Sequence, residues 1–188
     1  LNDTQLKGLQ YYNDILQRIP YEEIQLHEKY LKNILNLIDP NAELTIAGSY
    51  RRQKSNSGDI DLLLKADSKK IYDKFIDTLS KNNYLQEHLA RGSKKYMGLG
   101  KINISPCYRR IDIMYTKPEE YPFAILYFTG SGDFNVKMRE YALEKGFTIN
   151  EYSIKYNETK EKVNQIFNSE KDIFEYLNYE YQEPQNRI

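Results

Sequence analysis

The sequence predicts an α+β fold, one sheet with helices on one face, followed by a small α+β unit at the C-terminal end. Three observations predict it. Apolar residues recur at helical spacing in two blocks before residue 39 and in a third after Ser68. Short apolar runs bounded by turn residues lie between and after those blocks, as strands do. From about Pro118 the pattern changes to helices closed by glycine, which divides the chain into residues 1–118 and 119–188.

Residues 3–19 read as one helix carrying Leu6, Leu9, Tyr12, Leu16 and Ile19, and Pro20 interrupts it. A second helix runs to Ile38 with Ile24, Leu31, Ile34 and Leu35 on one side, and Asp39-Pro40-Asn41 stops it. "ELTIAG" is a short strand, "SYRRQ" a helical turn and "DIDLLLKA" a second strand. Ser68 caps a helix holding Ile71, Phe75, Ile76 and Leu79. Strands are expected near 84–90, 94–99 and 109–116. "PEEYPFAILYFTG" is a helix ended by Gly130, and "DFNVKMREYALEKG" another ended by Gly146. "FTINEYSIKY" is strand-like, and Ser169 caps a last short helix.

Charge and composition exclude several classes. The chain has 27 basic and 27 acidic residues, so nothing points to bulk electrostatic capture of nucleic acid, although a local basic stripe is still compatible. The single cysteine, Cys107, cannot form an internal disulfide. No apolar run reaches the roughly 18 residues of a membrane span, and the first ten residues lack a signal-peptide pattern. These features predict an intracellular protein, of nucleus or cytoplasm, with no membrane partner.

Three clusters carry possible chemistry. Gly48-Ser49 closes a strand and opens a helical turn, where backbone N–H groups and the Ser49 hydroxyl can cradle a phosphate. Arg51 and Arg52 follow, and one of them could reach the same phosphate; the plain alternative is a routine turn with solvated arginines. Gly58-Asp59-Ile60-Asp61 places two carboxylates on one side of a strand while Ile60 enters the core. Alone, this could be an exposed strand start offsetting the arginines. Asp112 sits between Ile111 and Ile113 on an apolar strand, where an acid is costly unless it is paired or metal-bound. Its plain alternative is an ion pair with Arg109 or Arg110. Three carboxylates from two strands suit two Mg²⁺ ions, with Mn²⁺ as a substitute. Zinc would want His or Cys, and the two histidines, His27 and His88, look like ordinary helix and strand residues.

Gly48-Ser49, Asp59-x-Asp61 and a later Asp112 resemble the nucleotidyltransferase signature. "YFTGS", "FNVKMREYALEKGFTINEY" and "EKDIFEYLNYEYQEPQNR" narrow the likeness to family X DNA polymerases, specifically the catalytic part of the polymerase beta-like group. The likeness covers nearly the whole chain. It implies a nucleotidyltransferase palm over 1–118 and a C-terminal nucleotide-selection subdomain over 119–188. It implies that Asp59, Asp61 and Asp112 bind metal, with Asp112 taking the primer hydroxyl proton. Gly48, Ser49, Arg52 and Gly58 then surround the incoming triphosphate. Tyr127, Phe128 and Gly130 lie beside the sugar, and Asn135 reaches the base edge. Arg139 meets the templating side, Lys95 the primer terminus, and Arg110 stands next to Asp112. Glu151 and Tyr152 support a closed state. For Tyr127 and Phe128 core packing is the alternative, for Phe134 it is the preferred reading, and Glu151 could be a plain strand acid.

The chain also departs from that family. Met114 stands where an arginine usually follows the third aspartate, Gly132 where an acid follows "TGS", and Val136 where a lysine is expected. Nothing matches an N-terminal lyase domain or helix–hairpin–helix clamps, which implies weaker DNA binding and no lyase activity. The expected function is template-directed, repair-type gap filling by a monomer acting on gapped or primed DNA and dNTPs. Template-independent terminal transfer is the alternative; the short connection "MGLGKINISPCYRR" favours templated synthesis.

Overall fold

In the computed structural model, which describes residues 1–188, five strands form one mixed sheet. They are β2 (Glu43–Ile46), β4 (Ile60–Lys65), β5 (Leu85–Arg91), β6 (Lys95–Gly100) and β7 (Arg109–Thr116), and they lie in the order β2, β4, β7, β6, β5. β4 and β7 run parallel and the other neighbours antiparallel. The parallel pair is central, so its residues are buried on both sides, which explains the unbroken Leu62-Leu63-Leu64 run.

One face is covered by α3 (Tyr21–Ile38) and α5 (Lys69–Lys81). Ile24, Leu31 and Leu35 meet Phe75, Ile76 and Leu79 over Leu62, Leu64, Ile111 and Ile113 in one buried cluster. The opposite face is not bare. α6 (Tyr121–Thr129) lays Ala124 and Ile125 on Leu63, Met114 and Ala47. α6 is apolar nearly all round and needs neighbours on both sides. Its other side, Phe123 and Leu126, joins Phe134 and Met138 of α7 (Gly132–Glu144) and Phe174 of α8 (Glu170–Tyr176) in a second core. Phe134 is therefore a core residue, as expected.

Two local expectations are corrected. The helix expected over 3–19 is two, α1 (Asp3–Gln10) and α2 (Tyr12–Leu16), followed by a two-residue strand, β1 (Ile19–Pro20), paired with β3 (Asn56–Ser57). Leu6, Leu9, Tyr12 and Leu16 stay exposed. Polar bonds dock this segment instead: Thr4 Oγ1 to the Leu89 carbonyl, Lys7 Nζ to the His88 carbonyl, and the Tyr108 amide to Asp14 Oδ2. Second, "FTINEYSIKY" is a hairpin, β8 (Phe147–Ile149) and β9 (Ile154–Tyr156), so Glu151 is a turn residue and not a strand acid. Asn150 Oδ1 accepts from the Tyr152 and Ser153 amides and shapes that turn.

Beneath the sheet, Glu23 of α3 accepts from Arg109 Nε and Nη2 at 2.9 and 2.6 Å and from Ser105 Oγ at 2.8 Å. His27, wholly buried, contacts Tyr84 Oη through Nδ1 at 2.7 Å. Burial holds the His27 imidazole neutral and lowers its pKa from 6.5 to about 4, against the opposing pull of Glu23 and with the help of the Arg109 charge. An unfolded histidine binds its proton first, so stability falls as pH drops from 6.5 toward about 4. The expected loss from this residue approaches about 3 kcal/mol at the acid end. Urea unfolding of the parent and His27→Gln at pH 7 and pH 5 checks it: the variant's curve should be flatter.

Candidate active site

Parallel pairing sets Asp61 directly beside Asp112. Asp59 precedes β4 by one residue and shares the side of Asp61, while Ile60 is fully buried on the other. One oxygen from each of the three carboxylates lies within 4.8 Å of the others. Burial, then the neighbouring Asp59 and Asp112, raise the Asp61 carboxyl to about 7. Burial also raises Asp59, and Arg110 pulls it back. Arg110 Nε and Nη2 donate to Asp112 at 3.2 and 3.0 Å, and Nη2 lies 3.9 Å from Asp59 Oδ2. The Asp112–Arg110 pair foreseen as the plain alternative thus exists, inside the cluster rather than in place of it. Arg110 is the cation that bonds the cluster, and the all-oxygen donor set fits a hard divalent cation.

The loops around the cluster explain its glycines. Gly48 opens α4 (Gly48–Arg51) at φ +60°, and a Cβ there would overlap Asp61 Oδ2. Gly48→Ala is expected to cost at least about 1–2 kcal/mol from the left-handed backbone alone, and to push Asp61 aside; thermal unfolding would read it. At Gly58 a Cβ would stand 3.1 Å from Arg18 Nη1. Ser49 Oγ bonds Ser57 Oγ at 2.7 Å, tying α4 to β3.

The arginines differ from expectation in their partners. Arg52 Nη1 donates to the Thr129 carbonyl at 2.6 Å and packs against Gly130, and its buried Nε has no partner. Arg51 turns away from the carboxylates: it bonds Thr129 Oγ1 at 2.7 Å and Glu170 at 2.8 and 3.2 Å. Arg52, not Arg51, is the one near Asp61, whose charge raises its pKa against the lowering by burial.

Lys95 opens β6 opposite Met114, on the carboxylate side, and its charge favours ionised Asp59 and Asp61. Tyr127, Asn135 and Arg139 form a second group. Arg139 lies 5.0 Å over the Tyr127 ring, and Asn135 Nδ2 donates to the Tyr127 carbonyl at 2.8 Å. Phe128 packs on Tyr127 and joins the Met114 cluster, so packing accounts for much of its contact. Gly130 ends α6 at φ +64°. Glu151 and Tyr152 line a cavity with Lys95 and Met114. Gly132 opens onto free space, and Val136 is exposed.

The family model described as DNA polymerase beta palm matches residues 18–118, and that for DNA polymerase beta thumb matches residues 124–188. The chain belongs to the family X DNA polymerases. It is 31% identical to DNA polymerase lambda of Rattus norvegicus, over all of this chain and 36% of the relative. DNA polymerase lambda of Arabidopsis thaliana is 28% identical over all of the chain and 40% of the relative. DNA nucleotidylexotransferase of Xenopus laevis is 29% identical over all of the chain and 44% of the relative. The chain therefore spans about two fifths of the length of these curated relatives.

Sequence reading missed two features of this polymerase-family site. Arg18 bonds Asn56 Oδ1 at 2.7 Å, and its charge favours ionised Asp59. No spacing signal marks it, because the β1–β3 pairing that brings it there is only two residues long. The buried Glu170–Arg187 pair was also missed; an Asp/Glu and an Arg separated by 17 positions announce nothing in a sequence.

Proposed function

We propose that the chain carries out template-directed DNA synthesis of the gap-filling repair type, transferring a dNMP from a dNTP to a primer 3′-OH. The observation that carries this is the three-carboxylate cluster on paired parallel strands, with Gly48 packed against Asp61 beside it. The polymerase lambda relatives support it. We read 1–118 as the palm and 119–188 as the nucleotide-selection subdomain, in keeping with the two matched stretches.

Asp59, Asp61 and Asp112 would hold two Mg²⁺, or Mn²⁺ in their place. When bound, the ions supply charge stabilisation to the developing phosphorane and leaving group. The protein does the rest. The Asp112 carboxylate takes the proton of the primer 3′-OH, whose oxygen bonds the α-phosphorus as the bond to pyrophosphate breaks. Gly48, Ser49, Arg52 and Gly58 hold the triphosphate. Tyr127, Phe128 and Gly130 border the sugar, and Asn135 and Arg139 test the base pair. Lys95 and Arg110 orient the primer end. Glu151 and Tyr152 steady the closed arrangement.

Terminal transfer is kept as a second reading because a relative carries the name DNA nucleotidylexotransferase. The connection between β6 and β7, residues 101–108, is short and favours the templated reading. Incorporation on a one-nucleotide gap with each dNTP and Mg²⁺, beside a single-stranded primer, separates them. Templated synthesis inserts only the complementary base in the gap. Indiscriminate extension of the single strand would replace the main reading with terminal transfer.

A further inference from the structure

A cavity of about 180 Å³ lies between the sheet and the C-terminal unit, lined by Lys94, Lys95, Met114, Phe128, Glu151 and Tyr152. Across it stands an unusual pairing. Lys94, at the tip of the β5–β6 hairpin, holds its Nζ 4.7 Å from the Tyr152 ring centroid. The tip is anchored rather than loose. The Lys94 carbonyl accepts from the Tyr115 amide at 2.8 Å, Gly92 N–H donates to the Lys95 carbonyl at 2.7 Å, and Tyr72 Oη donates to the Gly92 carbonyl.

Two features single out Lys94. The β7 residue that faces the cavity, Met114, is uncharged and packs into an apolar cluster with Ala47, Leu63 and Ala124. The cavity's cations are therefore Lys94 and Lys95. Lys95 lies on the carboxylate side, where its charge acts on Asp59 and Asp61. Glu151, next to Tyr152 on the rigid Asn150 turn, has no cationic partner within 4.0 Å. A cation on an aromatic face beside an unpaired carboxylate is half of a two-part clamp.

We propose that Lys94 is the positioning residue that holds the C-terminal unit against the sheet: its ammonium rests on Tyr152 and pairs with Glu151 as the cavity narrows. The clamp sets how Tyr127, which lines the same cavity, and the Asn135 and Arg139 bonded and stacked on it sit relative to the sheet. It rests on the polymerase reading for its catalytic consequence, but not for its structural one.

Two measurements on the full chain test it. Hydrogen exchange of the Tyr152 and Ser153 amides, read without DNA or nucleotide, should speed several-fold in Lys94→Gln and stay near parent rates in Lys94→Arg. Single-turnover incorporation on gapped DNA should slow about tenfold in Lys94→Gln, with DNA affinity and its salt slope unchanged. Lys94→Gln/Glu151→Gln should be no slower than the slower single variant, since both break one contact. Parent-like exchange in Lys94→Gln, or slowing that multiplies in the double variant, overturns the clamp. A weaker DNA affinity with a salt slope reduced by about one overturns it too, and makes Lys94 a phosphate contact. Were the parent itself inactive, the polymerase reading would fail while exchange still judged the clamp.

Discussion

Asp112→Asn is expected to slow incorporation on a gapped duplex by at least about a thousandfold while melting no lower than the parent. The amide keeps the side chain's shape and still accepts a bond from Arg110, which now reaches Asp112 through Nε and Nη2. What it loses is the charge and the ability to take a proton. Three carboxylates within 4.8 Å repel one another, so removing one charge relieves the fold even as it removes the chemistry. The same variant separates metal binding from activity. Millimolar Mg²⁺ should raise the melting temperature of the parent and barely move that of Asp112→Asn. Retention of a tenth of the parent rate would put the proton acceptor elsewhere.

Glu170→Ala is expected to lower stability by about 3–5 kcal/mol, or roughly 10 °C in melting temperature. Glu170 is buried and accepts from Arg187 Nη1 at 2.9 Å and from Arg51 Nη1 and Nη2. Arg187 is only 1% exposed, with its guanidinium 5.3 Å from the Phe174 ring centroid and 5.7 Å from that of Phe134. Deleting the carboxylate strands a buried cation there. Arg51→Ala leaves the Glu170–Arg187 pair intact and should cost only about 1–2 kcal/mol. Burial pushes the Glu170 carboxyl upward, but Arg187 and Arg51 outweigh it and hold it below its ordinary range. Its contribution is therefore complete above the unfolded value of 4.5 and fades as the pH falls through the lower folded one. Equal losses in the two variants would place the energy in Arg51 alone.

The sequence made the site's centre legible because strands impose a period of two. Asp59 and Asp61 had to share a side, and Asp112 between two isoleucines had to be paired. Glycines at 48 and 130 signalled close backbone approach, and both stand at positive φ. The N-terminal stripe misled. Helical spacing of Leu6, Leu9 and Leu16 promised a buried side, yet Thr4, Lys7 and Asp14 dock the segment through polar atoms. Periodicity says which residues share a side, not whether anything covers it. Arg51 and Arg52 were indistinguishable as neighbours in sequence. Both reach Thr129, and only Arg51 goes on to pair with Glu170, a partner too far along the chain for spacing to announce.

The direct pairing of Asp61 with Asp112 has a consequence for quality control. A one-residue slip between β4 and β7 would rotate every side chain of one strand to the opposite side. It would drive a carboxylate into the layer that holds Phe75 and Ile76 and leave isoleucine in the site. A misregistered chain thus loses its core along with its carboxylate cluster. Burial of the core and assembly of the three-carboxylate cluster therefore depend on one and the same register.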